Sequence, residues 1–111
     1  MLITVLKSKI AYATVTKADL YYDGSLGIDE KILNQLDIVE YEQIHVLNVT
    51  NGERFITYAI KEPEGSNAYN VYGAAAKKVS IGDELIILTY AQVEKNETFK
   101  TPAVINYREG Q

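Results

Sequence analysis

The sequence has no cysteine, no tryptophan, one histidine and two prolines, and its 11 basic side chains are outnumbered by 15 acidic ones. Without cysteine there are no disulfides and no thiolate metal sites to hold the fold together. A single imidazole, His45, leaves no histidine cluster for zinc and no catalytic arrangement that needs a second histidine. Set between Ile44 and Val46 in a strand-like run, His45 reads as an outward-facing strand residue. A formal charge of −4 argues against nucleic acid as a partner, because affinity for phosphates rests on Lys and Arg. No apolar run is long enough to span a bilayer, and the apolar stretch at the N-terminus is too short for a signal peptide. A cytoplasmic protein without a membrane partner is therefore expected.

What is present is β-branched and aromatic, with nine tyrosines among 111 residues, enough for one domain with one core. Residues 2–22 read as extended structure, and Thr16, Ala18, Leu20 and Tyr22 share one strand face. Asp29 has the chemistry of an N-cap for a short helix over about 30–36. The runs Gln43 to Thr50 and Glu53 to Ile60 flank Asn51-Gly52, a pair suited to a type I′ hairpin turn. After a loop at 63–67 come an extended piece over 68–72 and Gly73-Ala74-Ala75-Ala76-Lys77-Lys78, which reads as the opening of a single helical turn. Gly82-Asp83 turns the chain into 84–90, an apolar run of the kind buried on both faces, and a last strand covers 103–107. Many short strands with one or two helical turns favour a mainly β fold, a small closed barrel without exposed edges.

Two extended runs meet at Asp23-Gly24-Ser25, where the ordinary reading is a tight turn with glycine at positive φ. A second reading is chemical. If the backbone is held strained, the Ser25 hydroxyl can attack the Gly24 carbonyl and replace the amide by an ester. Elimination across Ser25 then releases a chain ending at Gly24, and hydrolysis of the resulting dehydroalanine leaves a pyruvoyl group at the new terminus.

Four features in order carry a resemblance: Thr16-x-Ala18-Asp19-Leu20-x-Tyr22-x-Gly24-Ser25 after a strand bearing Lys9, Asn51-Gly52-x-Arg54-Phe55-x-Thr57-Tyr58, Gly73-Ala74-Ala75-Ala76, and Gly82-Asp83. Over nearly the whole chain this pattern resembles the pyruvoyl-dependent aspartate 1-decarboxylases, which make β-alanine for pantothenate and hence coenzyme A synthesis. The resemblance implies a double-psi β-barrel spanning residues 1–111 that cleaves itself into fragments 1–24 (beta chain) and 25–111 (alpha chain). It also implies a covalent pyruvoyl cofactor derived from Ser25, L-aspartate as substrate, and a homotetramer with active sites between subunits. Whether a maturation factor assists cleavage stays open.

By the same resemblance, Arg54 and Lys9 bind substrate carboxylates and Tyr58 is the proton donor. Thr57 polarises the Gly24 carbonyl and later contacts substrate. Backbone amides of Gly73, Ala74 and Ala75 bind anions, and Tyr22 supports the cleavage segment. Two departures stand out: the family has Asn where this chain has Tyr72, and His where it has Ala11. Strand parity also separates Thr57 from Arg54 and Tyr58, which calls for either a bulge near Thr57 or a site completed across a subunit boundary. Read without the resemblance, the same residues describe a non-catalytic barrel that binds a small acidic ligand or a protein partner.

Overall fold

The computed structural model describes residues 1–109. Eight strands form it: β1 (Leu2–Thr14), β2 (Lys17–Asp19), β3 (Ser25–Asp29), β4 (Gln43–Asn48), β5 (Arg54–Glu62), β6 (Tyr69–Tyr72), β7 (Glu84–Glu94) and β8 (Ala103–Asn106). A short helix α1 (Glu30–Gln35) follows β3, and a 3₁₀ helix (Gly73–Lys78) follows β6. No helix among the described residues is long and apolar enough to cross a membrane.

Neighbouring strands run in the order β2-β6-β3-β5-β4-β7-β1-β8. Because β1 continues through Val15 and Thr16 straight into β2, nearly the two ends of this series are one length of chain. Val15 N–H donates to the Asp83 carbonyl at 2.9 Å, beside β7, and Thr16 N–H donates to the Tyr69 carbonyl at 2.9 Å, beside β6. The strand thus leaves one partner for another, and the sheet closes into the expected barrel. Its interior is filled by Ile10, Leu26, Ile28, Ile44, Val46, Val71, Leu85 and Ile87, all buried, with Leu33 and Leu36 of the α1 region closing one side.

Several local expectations change. The first extended stretch does not reach Tyr22: it breaks after Thr14, and after Asp19 the chain turns, with the Asp19 carboxylate accepting from Tyr21 N–H at 3.1 Å. The β4–β5 hairpin forms, but not through a type I′ turn. Gly52 is left-handed (φ 80°) and Asn51 is not, and Gly52 N–H donates to the Asn48 carbonyl at 2.8 Å. Asn48 causes the difference, since its side chain accepts from Thr50 N–H and donates to Asp83, fixing the first part of the loop. Strand β7 is not buried on both faces: Leu85, Ile87 and Thr89 point inward, while Ile86 and Leu88 are only half-buried on the outer side. His45 lies on that outer side too, half-buried and edge-on to Tyr90 at 4.9 Å between ring centroids.

Asp29 ends β3 and is 1 % exposed, yet its carboxylate is fully used. It accepts from Lys31 N–H at 2.9 Å as the N-cap of α1, from Gly65 N–H at 3.0 Å and from Asn67 N–H at 2.8 Å. Burial pushes its pKa up, but the donors from Asn67, Lys31 and Gly65 outweigh that and hold it below the ordinary 3.8. Asp29→Ala would leave three amides without their acceptor and should cost about 3 kcal/mol in urea unfolding. A depressed carboxyl contributes stability above its unfolded pKa and loses it as pH falls through the folded value. The stability gap between wild type and Asp29→Asn should therefore be full at neutral pH and shrink below about pH 4; a gap unchanged down to pH 2 would show that the charge is not what matters.

Candidate active site

Strand β3 lies between two strands of opposite sense, parallel to β5 and antiparallel to β6. The register pairs Ser25 with Tyr72 and Leu26 with Ala59, which brings Tyr58 level with Ser25 on the other side. Side chains two apart share a face. Ser25, Tyr58, Ile60, Glu62 and Tyr72 consequently line one cleft of about 350 Å³, together with Lys17, Tyr22 and Asp23. Ser25 itself is 3 % exposed, and its hydroxyl makes only a long contact, 3.5 Å, to the Asp23 carbonyl.

A hydrogen-bonded group joins the far end of β5 to β6 along this cleft. Glu62 Oε2 accepts from the Tyr72 hydroxyl at 2.6 Å and from Asn70 Nδ2 at 2.9 Å. Burial and the Glu62 carboxylate push the Tyr72 phenol up to about 12, against a smaller opposing effect of Asn70, so Tyr72 is a protonated donor at neutral pH. Tyr72 also packs on Tyr22, with centroids 5.4 Å apart.

The glycine with the unusual backbone is not Gly24, whose φ is not left-handed, but Gly73 (φ 76°). A Cβ on Gly73 would lie 2.6 Å from Gly24 Cα and 2.7 Å from Gly24 N. The backbone of the 3₁₀ helix start is thus pressed against the Gly24–Ser25 segment, a closeness only glycine permits. Ala74 is exposed at this start, and Ala75 packs partly on the core.

Of the residues singled out from sequence, Ser25, Gly24, Tyr22, Tyr58 and Gly73 come together; Lys9, Arg54 and Thr57 do not line the cleft of their own chain. Thr57 pairs with buried Ile44, and the β4–β5 register runs without a shift from Gln43–Tyr58 to Leu47–Arg54, so no bulge turns Thr57 toward Tyr58. Lys9 and Arg54 belong to the outer face of the β1-β7-β4-β5 wall. Lys9 pairs with Leu88, Leu88 with His45 and His45 with Ile56, while Arg54 pairs with Leu47 and Leu47 with Ile86. Sequence reasoning missed Lys17, Asp23, Ile60 and Glu62. Parity along β5 would have found Ile60 and Glu62, two and four residues beyond Tyr58. Among the described residues no His, Cys, Asp and Glu side chains gather as a metal site.

The sequence matches the aspartate decarboxylase family over residues 1–111. This chain belongs to that family. Relatives named aspartate 1-decarboxylase include one from Francisella tularensis subsp. holarctica, 46 % identical over 110 residues and covering 99 % of both chains. Another, from Nitrosococcus oceani, is 53 % identical over 97 residues, covering 87 % of this chain and 77 % of the relative. A third, from Leptothrix cholodnii, is 51 % identical over 94 residues, covering 85 % and 72 %. Among solved structures, two designed double-psi β-barrels are similar at TM-scores of 0.46 and 0.49 and 18 % and 15 % identity, covering 77 % and 76 % of this chain and 96 % and 95 % of theirs. In this family member the backbones of Gly73 and Gly24 are in close contact. Gly73→Ala, strained at φ 76° and colliding with Gly24, should slow or abolish any scission at residue 24 as followed by intact mass; scission at the wild-type rate would show the contact to be irrelevant.

Proposed function

We propose that this chain decarboxylates L-aspartate to β-alanine and carbon dioxide, supplying pantothenate synthesis, after cutting its own Gly24–Ser25 bond. The observation that carries the reading is Ser25 at the first position of β3, buried, level with Tyr58 and Tyr72, with the backbone of Gly73 against Gly24. In the cut, Ser25 Oγ adds to the Gly24 carbonyl carbon, the C–N bond breaks, and the hydroxyl proton passes to the freed Ser25 nitrogen. Elimination then removes the Ser25 Cα proton and expels the Gly24 carboxylate, giving fragments 1–24 and 25–111, and water converts the dehydroalanine left at residue 25 to the ketone with release of ammonia.

Residue 25 suits a pyruvoyl group, since it is shielded from solvent yet faces a cleft lined by phenols. When present there, that group would supply an electron sink as carbon dioxide leaves. The rest falls to the chain. Tyr58, level with residue 25, delivers the proton to the product carbon from its hydroxyl. Backbone amides of Gly73, Ala74 and Ala75 steady an anionic group beside it. Lys9 and Arg54 serve the cleft of a neighbouring copy in a homotetramer. Supporting this is their place on an outer face that also carries Leu47, Ile86, Leu88 and the 56 % exposed Ile56, an apolar surface suited to burial against a second subunit.

Incubation with L-aspartate should yield β-alanine and carbon dioxide in equal amounts, and Ser25→Ala should yield neither. No product from mature wild type would sink the reading and favour a binding module. Tyr58→Phe should still be cut but turn over about a hundredfold more slowly, the usual scale of a lost proton donor; normal kcat would assign the proton to another group.

A further inference from the structure

We propose that Lys17 is a substrate-binding residue, the cation that the cleft's own chain offers to the carboxylate aspartate retains. The inference rests on the function proposed above. Lys17 is the one Lys or Arg side chain among those lining the Ser25 cleft, which otherwise carries the acidic Asp23 and Glu62. Aspartate carries two carboxylates against one ammonium, and entering such a cleft its carboxylates meet repulsion from Asp23 and Glu62 that a local positive charge offsets. Lys17 is free for this: it takes part in none of the ion pairs found among the described residues.

Its ammonium is also held in place. The Lys17 Nζ lies 5.7 Å from the ring centroids of both Tyr22 and Tyr72, within the range of a cation over an aromatic face. Tyr72 is fixed in turn by Glu62, and Glu62 by Asn70. Glu62 lies over Gly27, where a Cβ would come within 1.9 Å of Oε2, so the absence of a side chain on β3 makes its seat. Gly27, Glu62, Tyr72 and Lys17 form one chain of support. The cation matches the retained carboxylate for an energetic reason. A partner for the departing one would stabilise the charged ground state more than a transition state that is losing charge as carbon dioxide forms.

The test compares wild type, Lys17→Gln and Lys17→Arg, each first checked by intact mass for complete cutting. Lys17→Gln should raise KM for aspartate about tenfold with kcat changed less than twofold, and Lys17→Arg should restore most of the loss, as expected for a lost ion pair. Calorimetry with succinate, a dicarboxylate that cannot react, should show the same weakening in Lys17→Gln. An unchanged KM, or a fall in kcat alone, would overturn the assignment and make Lys17 a solvated surface cation. Failure of wild type to release carbon dioxide would instead strike the proposed function, with succinate binding still reporting on Lys17.

Discussion

A five-residue strand buried at every position, Ser25–Asp29, is the constraint on which the rest of the molecule depends. It is held on both edges, by β5 in parallel and by β6 in antiparallel sense. One end is anchored by the Asp29 carboxylate, which gathers amides from α1 and from the 63–67 loop. The other end is Ser25, and just before it the chain is met by the backbone of Gly73. A strand gripped along its length and at its far end cannot shift to relieve crowding at its near end. The Gly24–Ser25 bond, which we propose the chain cuts, sits where this rigid strand stops and an exposed turn begins.

The two ends of one face of β5 divide the labour. Toward β3, Tyr58, Ile60 and Glu62 look into the cleft. Farther along, where β5 pairs with β4 rather than β3, Arg54 and Ile56 look out with Lys9, Leu47, Ile86 and Leu88. One strand thereby contributes to a site of its own chain and to an apolar, cationic surface. The half-buried outer residues of β7 belong to that surface, since a barrel wall has only one inside.

Much of this was legible beforehand. Alternation and turn residues located nearly every strand, and Asp29 announced the start of α1. What escaped was whatever depends on which strand lies next to which. Glu62 is distant from Ser25 in sequence and becomes its neighbour through the β3–β5 pairing, while Lys17, nearer in sequence but past the turn after Asp19, is brought to the same cleft by the β2–β6 pairing. The glycine at positive φ was sought at Gly24, whereas the fold puts it at Gly73, whose backbone lies against Gly24. The type I′ expectation at Asn51-Gly52 failed because Asn48, outside the dipeptide, bonds into the loop and changes its course. Side-chain chemistry can be read locally; close approach of one backbone to another cannot.

The most direct measurement is the intact mass of wild-type protein after warm incubation, with cell extract supplied as a source of any maturation factor. Two species corresponding to residues 1–24 and 25–111, the larger lighter than its unmodified sequence by conversion of the Ser25 amine end to a ketone, are predicted. A single undivided chain that nonetheless makes β-alanine from aspartate would contradict the account.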